Sequence, residues 1–499
     1  MSGPPAVGRD HRADLRIEET EARTTMSTPG SSTFDTARST ADDASGQPGR
    51  WEKIGYGMGG AANNVIWTGI STFLVFFYTD VAGIAAGVIG TILFFSRILD
   101  GVSDVAMGVI LDKTRSRHGK ARPWLLWLAI PFAIAAVLLF TVPVGSSGVT
   151  EIVYVIITYN IALLIYTAVE IPHGTLGALM TYDQHQRSIL NVAKMVGAYV
   201  AIIAISNVTI PFVDALGGGQ SGWISAFVVY GIIAAAIYFI TFRSTVERTD
   251  PSSNERGGDT RPSVKDGLGS LLRNKYWAIV TAVLLLMYVF NGITAGMAVY
   301  FAKYVVGDPA LVGALATALT LSTLIGILFV VPVAKRFGKR NTAIVGCAVA
   351  VVGSLIILID PDNVALATIG QVVRGFGKAA VMGIIFAMLA DTMEYGQWRT
   401  GIRIEGLIYS GASMGIKIGT GLGSALIGWS LALSGYVGTQ AVQSPGAISA
   451  ISALFIWVPV VVSLMMIVLL FFHKLDAEYP KILEDLGKSP GVNHPRWRA

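Results

Sequence analysis

The sequence predicts an all-α membrane protein of twelve transmembrane helices, arranged as two pseudo-repeated six-helix halves. Three observations carry that expectation. Of the 499 residues, 53% are hydrophobic and 14% charged, where soluble domains carry roughly a quarter charged residues. Apolar stretches long enough to cross about 30 Å of hydrocarbon recur twelve times along the chain. The loops between them alternate between rich and poor in Lys and Arg, as in a chain threaded back and forth through a bilayer.

In the first half the spans are expected at 54–78, 84–111, 122–142, 151–180, 187–212 and 222–243. In the second they are expected at 275–302, 310–333, 341–360, 364–391, 402–431 and 448–473. The loop after the second span holds Lys113, Arg115, Arg117, Lys120 and Arg122; the central loop holds Arg248, Arg256, Arg261, Lys265 and Arg273. Lys335, Arg336, Lys339 and Arg340 follow the eighth span. The alternate loops TDVAG, PVGSSGVT, DALGGGQSG, IDPDN and SGYVGTQAVQSPG have neither base, and KYVVGDP has only Lys303. Cytoplasmic loops retain Lys and Arg, so both termini are expected in the cytoplasm and the protein in the plasma or inner cell membrane.

The expected domain plan starts with a disordered cytoplasmic tail over 1–50, polar and without the apolar core of a signal peptide. Six-helix halves over 51–243 and 275–473 follow, joined by a central cytoplasmic loop over 244–274, and a cytoplasmic tail over 474–499 ends the chain. The pI near 9.1 belongs to this topology rather than to nucleic-acid binding, because the bases form no single block or face. Cys347 is the one cysteine, which excludes a disulfide framework and a thiolate metal cluster.

The halves echo each other. Arg117-His118-Gly119-Lys120 follows the second span of the first half, and Arg336-Phe337-Gly338-Lys339 follows the second span of the second. The fourth span runs into Asp183 to Arg187, and the tenth into Asp391 to Arg399. Such duplication describes a major-facilitator-type transporter, whose substrate site lies between the halves near the midplane.

Ionisable side chains at bilayer depth cost about 2.5–3.5 kcal/mol each on insertion scales and mark functional sites. The second span carries Arg97, Asp100 and Asp104, the fourth Glu170, the fifth Lys194, the tenth Arg374 and Lys378, and the eleventh Lys417. Facing lipid, these groups together would cost roughly 24 kcal/mol, more than the net stability of a typical domain. They are therefore expected to face an aqueous cavity or one another. Positions 97, 100 and 104 lie along one helix face. Tyr166, Thr167, Glu170, His173 and Gly174 share a face of the fourth span, a set suited to a polyhydroxylated ligand or a cation. On the eleventh span Gly411, Gly415, Gly419 and Gly423 form a close-packing ridge, and Ser413, Lys417 and Thr420 point away from it. Two acids with a hydroxyl such as Ser103 or Thr167 can bind a small hard cation or share a proton. Linkage to substrate would run through pairing of the acids with Arg97, Lys194 or Lys417, and must be reciprocal.

Plainer readings stand beside these. Arg97 with Asp100, and the lysines, can be internal ion pairs that only join helices. His173 reads as a packing or hydrogen-bonding residue, since no second ligand lies at metal spacing beside it. GYGMGG, Gly55 to Gly60, matches a dinucleotide fingerprint but has no preceding strand, and reads as a close-packing surface. The Asn207-Val-Thr sequon falls at the end of an apolar span. DKTRSRHGKAR is a retained loop whose charges can also clamp helix ends.

Five blocks occur in order across residues 51–475: YGMGGAANN, FFYTDVAG, RILDGVSDVAMGVILDKTRSRHGKARPW, YTAVEIPHGTLGALMTYDQHQRSILN and DTMEYGQWRTGIRIEGLIYSGASMGIKIGTGLG. Together they resemble the glycoside-pentoside-hexuronide:cation symporters, the family of the melibiose carrier. The resemblance implies import of a sugar in symport with H+ or Na+ by alternating access. No cofactor beyond that cation is expected. It further implies Asp100 and Asp104 as cation ligands, Thr167 as another, and Lys417 near them. Ser103 stands where the melibiose carrier has a sodium-favouring asparagine. Glu170 replaces a sugar-binding aspartate, and Asn64 replaces a first-span aspartate that holds sugar hydroxyls. Gly174 replaces a tryptophan that lies against the sugar, which leaves stacking to Trp67 or another ring. Lys194 stands close to the position of that carrier's fifth-span arginine, which contacts sugar.

The candidate substrate residues are thus Asn64, Trp67, Tyr166, Glu170, Lys194, Arg374, Lys378 and Ser413, with Arg97 and Lys417 as a charge network. Five bases (Arg97, Lys194, Arg374, Lys378, Lys417) against three acids (Asp100, Asp104, Glu170) leave an excess of positive charge that a carboxylate would relieve. The expected substrate is a neutral glycoside or a uronic-acid-bearing sugar, the uronide being favoured if Arg374 and Lys378 face the cavity. The expected partners are a sugar or sugar acid, a monovalent cation and the lipid bilayer, with no nucleic acid. A transporter-like sensor or scaffold and a carrier of another amphiphilic solute are the alternatives. An enzyme is not expected, because the chain offers no nucleophile-base-acid set and no metal cluster.

Overall fold

The computed structural model describes residue 3 and residues 47–248, 264–402, 404–440 and 442–487. Most of the tail expected over 1–50 and the end of the one expected over 474–499 lie outside the described residues.

Among the described residues twelve apolar helices follow in order: α1 (Arg50–Val81), α2 (Ala86–Lys113), α3 (Arg122–Leu138), α4 (Gly148–Leu179), α5 (Gln184–Ala215), α6 (Gly219–Ser244), α7 (Lys275–Val306), α8 (Pro309–Phe337), α9 (Lys339–Ile359), α10 (Val364–Thr400), α11 (Glu405–Leu433) and α12 (Pro445–Phe471). Eleven are long enough to cross a bilayer outright, and α3, at 17 residues, sits at the lower limit of the range that spans one. Two short helices, Val264–Leu272 and Leu475–Asp485, lie outside the apolar spans.

Local chemistry starts these helices. Ser147, Asp183, Asn274, Asn363 and Ser444 accept main-chain N–H bonds at the N-termini of α4, α5, α7, α10 and α12, satisfying donors that a first turn leaves unpaired. The largest boundary difference is at α10, expected to end at 391. It continues to Thr400, because the sequence from Asp391 contains no proline and its first left-handed glycine is Gly401 at φ 71°.

The internal repeat is visible in the backbone. α1 and α7 both end in a widened turn, Phe77–Val81 and Ala302–Val306, followed by a left-handed glycine, Gly83 or Gly307. The two echoing loop motifs each carry a positive-φ glycine, Gly119 and Gly338. The carboxylate of Glu247 accepts from the N–H groups of Lys120, Ala121 and Arg122 at the start of α3. Asp476 accepts from the N–H of Arg340 at the start of α9. Each acid follows the last span of its half and places negative charge at a helix N-terminus, where the helix dipole favours it.

Packing repeats as well. α1 packs on α5 and α6, α3 on α4 and α6, and α2 on α4; each pair recurs six spans later. Across the halves α2 packs on α11 and α5 on α8. The expected glycine ridge of α11 lies on α7, with Gly411 against Trp277, Gly415 against Thr281, Gly419 against Leu285 and Gly423 against Val289. GYGMGG is likewise a packing surface: Gly57 meets the Ala193 main chain, Gly60 that of Lys194, and Gly59 the His173 ring. With the ridge committed to α7, Lys417 is turned toward α2.

Candidate functional site

A cavity of about 470 Å³ lies between the halves, lined from α1, α2, α4, α5, α7, α8, α10 and α11. Of the expected residues it brings together Asn64, Trp67, Arg97, Asp100, Tyr166, Lys378 and Lys417. Trp67 is stacked on Tyr166 at 4.3 Å and carries the Arg97 guanidinium 4.4 Å from its ring centre. Its ring is therefore held in place by protein contacts.

Beside this cavity the second-span acids surround one ammonium group. Lys417 Nζ lies 2.9 Å from Asp100 Oδ1, 2.6 Å from Asp104 Oδ1 and 2.9 Å from the Asp100 main-chain oxygen. Thr167 Oγ1 is 2.8 Å from Asp100 Oδ1 and 3.2 Å from Asp104 Oδ1. Arg97 Nη1 donates to Asp100 Oδ2 at 3.2 Å, and Ser413 Oγ donates to Asp104 Oδ2 at 3.4 Å. The Asp100 side chain is 1% exposed and that of Asp104 is 25% exposed, so Asp104 is the carboxylate that solvent can reach. Two carboxylates, a hydroxyl and a main-chain oxygen form a hard-oxygen cage. In this structure a tethered cation, the Lys417 ammonium, fills it.

Ser103 does not join the cage. Its Oγ donates to the Asp100 main-chain oxygen at 2.8 Å, the local back-bonding open to any helical serine. Glu170 and Lys194 pair at 2.7 Å without lining the main cavity. Asn63 Nδ2 donates to Glu170, and Tyr238 donates to Asn63 Oδ1. Asn64, the expected amide, donates to the Gly60 main-chain oxygen and presents its side chain to the cavity. His173 is fully buried and bonds to the Tyr56 main-chain oxygen at 3.0 Å.

Arg374 is not a cavity base. It is fully buried, with Nε 2.8 Å from Ser354 Oγ, one terminal nitrogen 2.8 Å from the Phe455 main-chain oxygen and the other 3.1 Å from Gln371 Oε1. Each of its three nitrogens donates to one neutral acceptor, so its charge is held inside the second half. Lys378, one turn further on α10, does line the cavity. No carboxylate pairs with it among the described residues.

A second polar cluster was hidden in the sequence. Asp80, expected in a loop, lies in the widened last turn of α1 with its side chain 2% exposed. Its carboxylate accepts from Lys303 Nζ at 2.8 Å, Tyr304 OH at 2.5 Å, Thr79 Oγ1 at 2.8 Å and Tyr436 OH. Burial, with Tyr300 and Asp80 nearby, raises the Tyr436 phenol far above its ordinary value, so it remains a donor. This cluster ties α1 to α7 and to the loop after α11, at the end of the bundle where loops lack Lys and Arg. At the same end Asn207 Nδ2 donates to Thr317 Oγ1 at 2.6 Å and Trp429 Nε1 to Thr91 Oγ1 at 2.9 Å. A methyl group on Gly428 would collide with the Ala86 carbonyl.

A twelve-span pseudo-symmetric bundle, with a cavity between its halves and a buried charge cluster beside it, defines a membrane transporter of the major facilitator type. Comparison with known proteins names the family. The model of the family described as MFS/sugar transport protein matches residues 55–477. The isoprimeverose transporter of Lactiplantibacillus pentosus is 35% identical over 87% of this chain and 91% of that protein. Two proteins of Escherichia coli (strain K12) are also similar. The putative glycoside/cation symporter YagG is 34% identical over 88% of this chain and 95% of that protein. The glucuronide carrier protein homolog is 30% identical over 87% and 94%. The chain belongs to the MFS/sugar transport protein family, in its glycoside-pentoside-hexuronide:cation symporter branch.

Solved structures share the fold alone. A bacterial homolog of the human lysosomal transporter Spinster, inward-facing and unoccupied, aligns with TM-score 0.62 and 13% identity over 87% of this chain and 98% of that one. The nucleoside transporter NupG aligns with TM-score 0.56 and 12% identity over 85% and 100%.

Proposed function

We propose that this protein imports a sugar in symport with H+ or Na+ by alternating access. The Lys- and Arg-rich loops and both chain ends then lie on the cytoplasmic side. The halves 51–243 and 275–473 rock about the midline site, with 244–274 as their link. The observation that carries this reading is the Lys417 ammonium of α11 held by Asp100 and Asp104 of α2, with the Thr167 hydroxyl of α4 donating to both acids.

The physical chemistry of coupling follows from that cage. A free cation and the Lys417 ammonium compete for the same oxygens, so loading the cation, or protonating Asp104, releases Lys417 toward the cavity. Ser413 and Thr167 are within reach of the acids to complete the ligand set. Released, Lys417 can donate to a sugar hydroxyl, which makes substrate binding dependent on the cation and the cation dependent on substrate. Uptake in membrane vesicles under an imposed pH or sodium gradient, across neutral glycosides, pentosides and uronides, tests the reading. Accumulation above the external concentration is expected for at least one sugar, and its absence across the panel overturns the proposal.

Within that class we infer a preference for a sugar acid. With Arg374 withdrawn into the second half and Lys194 paired with Glu170 outside the cavity, Arg97 and Lys417 pair with Asp100 and Asp104, and among the described residues Lys378 is the cavity base left without a carboxylate. A hydrogen bond to a charged group contributes about 1.5–3 kcal/mol, roughly ten- to a hundredfold in affinity. Lys378→Gln is expected to raise KM for a glucuronide by at least about tenfold and to leave that of a neutral glycoside within twofold. Equal effects on both sugars, in initial-rate uptake, would remove Lys378 from carboxylate recognition.

A further inference from the structure

Past the end of α12 the chain turns into the short helix Leu475–Asp485, and His473 sits in that turn. The residue is fully buried, and among the described residues neither of its ring nitrogens has a hydrogen-bond partner. A neutral imidazole carries one N–H and one acceptor nitrogen, and the protonated ring carries two N–H donors. A proton here would add a charge and a second unpaired donor to a closed site, which burial penalises.

The terminal helix is what closes the site. Leu475 and Ile482 pack with Tyr276 of α7 and Tyr395 of α10 into a small core separate from the main one. The Tyr276 ring meets the His473 ring edge-on at 5.1 Å and the Tyr395 ring at 4.7 Å. Polar contacts join the same helix to three spans of the second half. Tyr276 OH donates to Glu478 Oε1 at 3.0 Å, the Arg340 main-chain N–H of α9 to Asp476 Oδ2 at 2.9 Å, and Trp398 Nε1 of α10 to Asp485 Oδ2 at 2.9 Å. The helix thus clamps the ends of α7, α9 and α10 together, and α7 and α10 are walls of the cavity.

The charged groups around His473 do not make room for a proton. On the terminal helix Asp476 favours it, but its Oδ2 already accepts from α9, and Glu478 is bonded to Tyr276. On α9 Arg340 and Lys339 oppose it. On α10 Asp391 is paired with Lys339, on α7 Lys275 lies over the Tyr276 ring, and Lys474 is exposed. Burial outweighs Asp476 and, with Arg340 and Lys339, pushes the imidazole down to about 4 from its ordinary 6.5. Detached, the ring regains its ordinary value, so the detached state takes up a proton that the docked state refuses. Docking is at full strength above about pH 6.5 and weakens as the pH falls toward 4.

We propose that Leu475–Asp485 is an acid-released clamp on the second half, with His473 as its trigger. At neutral pH the helix is docked and ties the ends of α7, α9 and α10; protonation of His473 frees it and unties them. The device is independent of the sugar and of the coupling cation, so it stands or falls apart from the symport reading.

The test is hydrogen exchange of the full-length protein in lipid nanodiscs, read as amide protection over 475–485 after correction for the intrinsic pH dependence of exchange. A detached helix of 11 residues is marginal in water, so protection there reports docking. Between pH 7.5 and 5.5 a shift from about 4 docked to 6.5 detached weakens docking about tenfold, and protection in the parent is expected to fall by that factor. In His473→Phe, which keeps a buried ring with nothing to protonate, it is expected to change less than twofold. Val264–Leu272, the other short helix outside the spans, contains no histidine and is expected to hold its protection within twofold in both proteins. His473→Gln gives the same comparison where a phenyl ring disturbs the packing. Flat protection in the parent overturns the proposal with no variant needed; an equal fall in the substituted protein, or over Val264–Leu272, overturns it as well.

Discussion

Asp100→Asn and Asp104→Asn proteins are expected to lose gradient-driven sugar accumulation while retaining exchange of internal for external sugar. A 100 mV potential acting on one cation is worth about 2.3 kcal/mol, which sustains roughly fiftyfold accumulation. Without a loadable carboxylate pair the gradient has no charge to act on, and the internal-to-external ratio should fall to one. The two positions differ in how they fail. Asp100 is enclosed and bonded to Arg97, Lys417 and Thr167, so its loss also leaves buried cations short of a partner, which costs about 3–5 kcal/mol in buried pairs. Asp104 is partly exposed, so Asp104→Asn should fold well and isolate the coupling defect. Counterflow measured beside net uptake separates the two effects. Full accumulation in the Asp104→Asn protein removes that residue from the cation site.

The second large effect is expected at Asp80. Its four donors come from α1, α7 and the loop after α11, so the cluster exists only while the halves meet at the charge-poor end. Asp80→Asn leaves Lys303 without its carboxylate in that conformation and changes little once the halves have parted. Because Lys303 is 30% exposed, the penalty is discounted from the fully buried value to about 2 kcal/mol, roughly a thirtyfold shift toward opening. A cysteine at cavity residue Thr294 provides the readout, since the native Cys347 is buried. Labelling by a membrane-impermeant thiol reagent from the charge-poor side should be slow in the parent and at least tenfold faster with Asp80→Asn. Unchanged labelling rates would show that the cluster does not hold this end shut.

The fold was legible because a bilayer leaves few choices. Apolar length set the twelve spans, loop charge set their alternation, and the four-residue glycine period of α11 named the face that packs on α7. The cage was legible for a related reason, since ionisable groups spaced three and four residues apart on α2 had to share a face. Orientation of single side chains was not legible. Nothing in the order of residues distinguishes Arg374, whose neutral acceptors come from α9, α10 and the main chain of α12, from Lys378 one turn away on the cavity face. Asn63 and Asn64 are neighbours about 100° apart on α1, and only the packing of α4 and α6 decides that Asn63 meets Glu170. Asp80 reads as a loop residue because the widened turn that keeps it helical, and buried, has no sequence mark of its own. Ser103 could turn outward to a ligand or back to its own helix, and it turns back.

The central claim is that a free cation and sugar are linked through the acids now holding Lys417. Equilibrium binding tests it most directly: affinity of the transported glycoside with and without saturating sodium or at lowered pH, and affinity of the cation with and without glycoside. Linkage requires the two affinities to rise by the same factor, and that factor is expected to fall to one in Asp104→Asn. Glycoside affinity indifferent to both cations, or a factor unchanged by Asp104→Asn, would contradict the account.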